Sequence, residues 1–207
     1  MPLLGVIFDL DGTLVDSGLD FAQMRREMGI ADGEPVLEAL AKLPPDEAAR
    51  CRAILHDHER RGAERAVAFA GASAFLDELA ARGIARGIVT RNSRAATLAM
   101  LSRLELHVDS ILCRDDAPPK PDPAALWQTC EAWGLSPRQC AMIGDFRFDI
   151  EAARAAGMHA VLYTGGRGLT GLADQSAADF TLRSFGDAGA FWDWASQIDL
   201  EGGPASC

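Results

Sequence analysis

Short apolar runs recur along this chain in alternation with helix-period stretches, and that alternation limits the fold more than any other feature. The runs are Gly5 to Phe8, Ala85 to Val89, Ile111 to Cys113, Cys140 to Ile143 and Ala160 to Tyr163. Each is too short for a helix and reads as a buried strand. Between the later runs lie Arg94 to Leu104, Pro123 to Trp133 and Asp149 to Ala156, the last followed by Gly157 as a helix stop. Strands joined through helices pair in parallel, which predicts an α/β fold whose sheet is covered on both faces.

The interval from Ser17 to about Phe69 breaks the alternation and reads as helices throughout, with no strand. Phe21 to Met28 and Val36 to Leu43 are short amphipathic segments. Pro44-Pro45 then opens a longer helix with Ala48, Cys51, Ile54 and Leu55 on its apolar face and His56 to Arg61 mostly on its solvated side. Gly71 to Ala81 returns to the framework. The expected organisation is therefore a core of residues 1–16 and 70–200 with an inserted helical segment at 17–69. Asp179 to Leu182 suggests an edge strand, Ala188 to Ile198 a closing helix, and Glu201 to Cys207 a frayed tail. Trp127, Trp133, Trp192 and Trp194 are expected to pack helices against the sheet.

Composition narrows the partners. Lys+Arg 20 against Asp+Glu 30 gives a formal charge of -10, which disfavours nucleic acid and anionic membranes and requires local positive charge for any anionic substrate. The five cysteines form no CxxC pair, and the N-terminus enters a strand without a basic-then-apolar leader. No run approaches the ~20 apolar residues of a membrane span. A cytoplasmic protein is expected, as a monomer or a homodimer.

The chemistry concentrates at strand ends. Asp9-Leu10-Asp11-Gly12-Thr13 follows Val6-Ile7-Phe8, placing two carboxylates where a buried strand opens into a turn. A hard cation such as Mg²⁺ supplies the counter-charge, and that combination handles phosphate. Thr90 closes Gly87-Ile88-Val89, Asp145 follows Met142-Ile143-Gly144, and Lys120 lies in the loop after Ile111-Leu112-Cys113. Ligands of open parallel sheets bind outside the carboxyl ends of the strands, so these residues should converge. Singly, Asp11-Gly12 is a common turn, Asp149 a helix cap, Thr90 a strand end and Lys120 a solvated charge. Together and in order, they describe a site.

The motifs Asp9 to Ser17, Thr90, Lys120-Pro121-Asp122-Pro123 and Gly144 to Asp149 resemble those of the haloacid dehalogenase superfamily, in its phosphoglycolate phosphatase-like branch, over residues 1 to about 166 outside the insertion. The resemblance implies a Rossmann-like core and a short helical cap at 17–69. It also implies a Mg²⁺-dependent phosphatase acting on a small phosphorylated metabolite. Asp9 would be the nucleophile and Asp11 the general acid and base. Asp9, Asp145 and the Asp11 backbone carbonyl would hold the metal, with Asp149 orienting bound water or Lys120. Thr90 and Lys120 would bind the phosphoryl oxygens, and Asn92 can add a donor. Arg91 and Arg147 are candidates for an anionic group beyond the phosphate, the alternative being surface arginines beside core aromatics. A phosphosugar mutase would keep the same motifs, and a non-catalytic phospho-binding protein is the reading from a different class. His56 and His58, with Arg60 and Arg61, are read as a solvated helix face.

Overall fold

The computed structural model describes residues 2–165 and 177–201. At its centre is β1 (Gly5–Phe8), buried at every position. Around it stand β4 (Ala85–Val89), β5 (Ser110–Leu112), β6 (Cys140–Gly144), β7 (His159–Tyr163) and β8 (Phe180–Leu182). Among the described residues they form one six-stranded sheet in the order β5-β4-β1-β6-β7-β8, parallel throughout. The Rossmann-like α/β expectation holds, including the edge strand at β8.

Strand alternation divides the apolar residues between two layers. Val6 and Phe8, Ala141 and Ile143, and Val161 and Tyr163 face one layer. Ile7, Met142, Ala160 and Leu162 face the other. The first is covered by α4 (Ala72–Ala81), α5 (Arg94–Leu104) and α8 (Ala188–Glu201), through Phe75, Leu79, Met100 and Phe191. The second is covered by α6 (Ala124–Trp133) and α7 (Arg147–Ala156), through Leu126, Cys130, Ile150 and Ala153. Gly5 and Gly87, on adjacent strands, make a flat seat for Trp133, because a Cβ at either would come within 2.8 Å of its ring. Trp192 and Trp194 pack on the first layer. Trp127 departs from expectation: it is half exposed, and its Nε1–H donates to the Ala156 carbonyl at 3.2 Å, clipping α6 to the end of α7.

The inserted helices are α1 (Phe21–Met28), α2 (Val36–Leu40) and α3 (Pro45–Arg65). Asp20 caps α1 by accepting from Gln23 N–H, and Pro45 with Asp46 and Glu47 opens α3 as a helix N-terminus favours. The three surround their own apolar cluster, which includes Met24, Met28, Val36, Leu40, Cys51 and Leu55.

Two expectations for this segment are corrected. It contains a strand: β2 (Val15–Asp16) pairs antiparallel with β3 (Val67–Ala68), forming a neck where the segment leaves and rejoins the core. Two residues per strand carry no periodicity to detect. The His56 to Arg61 stretch is also not wholly solvated. His58 is 5% exposed, with Nε2 2.8 Å from Glu27 Oε2, and Glu59 is 3% exposed against Arg114. Spacing explains both, because positions 58 and 59 follow Leu55 by three and four residues and so share its buried face. The tail expected after Glu201 lies outside the described residues.

Phe75 is the hub of the first layer, meeting the rings of Phe8, Phe185, Phe191 and Trp192 at centroid distances of 5.2–6.1 Å. Phe75→Ala is expected to lower unfolding free energy by about 3–5 kcal/mol, measured by urea denaturation.

Candidate active site

Strands β4, β1 and β6 are adjacent, so the residues leaving their carboxyl ends are brought together. Asp9 continues β1, its N–H donating to Ile143 O at 2.9 Å. The chain then turns around Leu10, whose carbonyl accepts from the N–H groups of Thr13, Leu14 and Val15. Gly12 sits in this turn at φ 94°, and a Cβ there would lie 2.4 Å from Asp145 Oδ2. Its two roles, left-handed backbone and close approach, leave no other residue fitting. Asp11 follows Asp9 into the turn, with Oδ1 accepting from Ser17 N–H at 2.9 Å.

Lys120 comes in from the loop after β5 and is 1% exposed. Its ammonium lies 2.7 Å from Asp9 Oδ1 and 2.6 Å from Asp149 Oδ1. Asp149 is held a second time through Oδ2, which accepts from Phe146 N–H at 2.9 Å and so caps the start of α7. Gly144 makes room for it, since a Cβ there would overlap the Asp149 carboxyl group. Burial pushes the Asp9 carboxyl up to about 6; the Lys120 ammonium pulls against that rise and Asp149 adds to it. Burial likewise works to lower Lys120, but the charges of Asp149 and Asp9 outweigh it and hold the ammonium above its ordinary range.

Asp9, Asp145 and Asp149 each offer a carboxylate oxygen, all within 4.8 Å of one another. Three hard oxygen donors clustered at one point suit a small divalent cation. The Asp11 carboxylate lies outside this trio.

Thr90 and Asn92 are both buried beside Asp9 and Asp11 in the wall of one cavity. Thr90 Oγ1 accepts from Asn92 N–H at 3.1 Å, which leaves the hydroxyl proton for another acceptor. Asn92 Nδ2 is buried with no hydrogen-bond partner, the state of a donor that a ligand satisfies. Arg91 is engaged with the inserted helices: Nη2 lies 2.7 Å from Glu38 Oε2, Nη1 donates to the Lys120 carbonyl, and the guanidinium stacks 4.6 Å from the Phe148 ring. Arg147 also stacks on Phe148, at 4.9 Å.

Sequence reasoning missed Arg114 and Glu59. Arg114 stands one residue past the buried Cys113 and clasps both Glu59 oxygens, while also donating to the Arg91 carbonyl at 3.0 Å. The i+4 spacing from Leu55 to Glu59 was the available signal. It also missed Arg25, which reaches the cavity from α1. The cavity, of about 610 Å³, lies between the carboxyl ends of the strands and the inserted helices.

Comparison with known proteins agrees with this geometry. The family model described as "Haloacid dehalogenase-like hydrolase" matches residues 25–163. A haloacid dehalogenase-like hydrolase domain-containing protein of Arabidopsis thaliana is 30% identical over 167 residues, covering 75% of this chain and 68% of that protein. The phosphoglycolate phosphatase of Rhodospirillum rubrum is 32% identical over 219 residues, covering 91% of this chain and 89% of that protein. Among solved structures, a hydrolase from Pseudomonas syringae superposes with a TM-score of 0.76 at 23% identity, covering 92% of this chain and 98% of the other. With the family's model matching residues 25–163, more than half of the chain, the chain belongs to the haloacid dehalogenase-like hydrolases.

Proposed function

We propose that the protein is a Mg²⁺-dependent phosphatase that hydrolyses phosphomonoesters through a phospho-Asp9 intermediate. The observation that carries this reading is the buried Lys120 ammonium between Asp9 and Asp149, beside the Asp145 carboxylate at the floor of a cavity. The similarity to phosphoglycolate phosphatases at about 30% identity supports it. Residues 1–16 and 70–200 are the catalytic core in this reading, and 17–69 are a cap that walls the cavity. Four buried free thiols, Cys51, Cys113, Cys130 and Cys140, fit a reducing cytoplasm.

In the first step an Asp9 carboxylate oxygen attacks phosphorus while the bond to the leaving oxygen breaks. Asp11 gives its proton to the departing alkoxide. In the second, Asp11 takes a proton from water as the water oxygen attacks the same phosphorus. Inorganic phosphate leaves and Asp9 is restored. Lys120, the Thr90 hydroxyl and Asn92 Nδ2 hold the phosphoryl oxygens through both displacements. Asp9, Asp145 and the Asp11 carbonyl would hold Mg²⁺, with Asp149 alongside, and the ion would supply positive charge where the phosphoryl group's negative charge must be balanced.

Three results test the mechanism. Asp9→Asn should lower phosphate release from small phosphomonoesters by at least about four orders of magnitude, and removal of divalent cations with a chelator should abolish turnover until Mg²⁺ is restored. Asp11→Asn should still release nitrophenolate from 4-nitrophenyl phosphate in a burst of one equivalent, since that leaving group needs no proton. The phosphoryl group then stays on Asp9, where intact-protein mass spectrometry detects it. A steady wild-type rate in either variant would contradict the assignment.

A further inference from the structure

At about 610 Å³ the cavity is of the size that encloses a drug-sized ligand. A two-carbon phosphoacid would leave most of it to water. Away from the Asp9 floor its walls are largely apolar, with Leu19, Val36, Leu37 and Leu55 contributed by the inserted segment. Among the described residues four arginines also line it. Two are neutralised there, Arg91 by Glu38 and Arg114 by Glu59. Arg147 is stacked on Phe148 and makes no ion pair among the described residues, feeling Glu38 only at longer range. Arg25 has no acidic partner among them, and its Nε is buried without a hydrogen-bond acceptor. A buried guanidinium N–H lacking an acceptor is a standing cost that a ligand oxygen removes.

We infer that Arg25 is a specificity-determining residue for the leaving group. The substrate is a phosphomonoester whose leaving group has a bulky apolar body and ends in a second anionic group, a carboxylate or another phosphate, bound by Arg25, with Arg147 the other cavity arginine that makes no ion pair among the described residues. The apolar walls take the body, and the guanidinium fork takes paired oxygens at its far end. The inference rests on the phosphatase reading for its first phosphate and on the cavity alone for its second anion.

The test compares 4-carboxyphenyl phosphate and 1,4-phenylene bisphosphate, the two anionic tails, with the neutral-tailed 4-carbamoylphenyl phosphate, all with Mg²⁺. The wild type should prefer one anionic tail over the amide by roughly tenfold or more in kcat/KM, carried mainly by KM, and the favoured tail identifies the group recognised. Arg25→Gln should bring that ratio to within about a factor of three, and Arg25→Lys should restore part of it. Each ratio comes from one sample and is therefore insensitive to how much of a variant folds. A wild-type ratio near one for both tails, or a preference that survives Arg25→Gln, overturns the inference while leaving the phosphatase reading intact. If all three esters are inert, turnover of 4-nitrophenyl phosphate decides the phosphatase reading, and calorimetric binding of 4-hydroxybenzoate against 4-hydroxybenzamide decides the pocket. Carboxylate-dependent binding lost in Arg25→Gln supports it, whereas equal or absent binding of both overturns it.

Discussion

The Lys120 ammonium, 1% exposed, is the contact on which the site's geometry depends. A lone buried charge costs several kcal/mol, a large share of a domain's net stability, so the ion is paired where the loop after β5 is folded. Its partners come from the loop after β1 and the first turn of α7. Three loops far apart in sequence are thereby fixed at one point, and the consequences spread outward. Asp149, held by Lys120, also accepts from Phe146 N–H and sets where α7 begins. Among the described glycines, Gly144 and Gly12 are where the backbone comes so near to a carboxylate that a methyl group would overlap it.

Charge in the site is arranged against the chain's overall sign. The molecule carries a formal charge of -10, yet the cavity gathers Arg25, Arg91, Arg114 and Arg147, and the buried Lys120 pairs with Asp9 in its wall. Pairing decides how much of that positive charge a ligand meets. Glu38 and Glu59 cancel two guanidiniums at the seam with the inserted helices, so the remaining attraction is confined to discrete points and not spread as a basic patch. Such an arrangement discriminates between ligands by where their anionic groups lie.

The sheet was legible in the sequence because its central strands β1 and β6 are runs buried at every position, and such runs stand out against polar loops. The strand-end residues were legible for a related reason: Asp9, Thr90 and Asp145 each stop an apolar run abruptly. Asp9, Asp145, Asp149 and Lys120 do converge. What escaped reading were contacts between elements. The β2–β3 ribbon is too short for periodicity, and His58 and Glu59 look like members of a charged run until the partners that bury them, Glu27 and Arg114, are in place. Arg91 looked like an unattached cation, and only the packing of α2 shows it committed to Glu38. Polar burial is a property of pairs, and a sequence displays one partner at a time.

The seam between core and inserted helices has a consequence of its own. Much of what joins them is guanidinium on the core side meeting oxygen on the other. Arg91 and Arg114 reach Glu38 and Glu59, and Arg103 donates to the Ala63 and Ala66 carbonyls. Hydrogen bonds of this kind can be exchanged for water, while the two oily layers of the sheet cannot be hydrated at comparable cost. Stability is therefore graded across the molecule, since contacts of the seam's kind open locally at less cost than the packed layers of the sheet. Seam and sheet rest on different contacts, so one can be adjusted by substitution without moving the other.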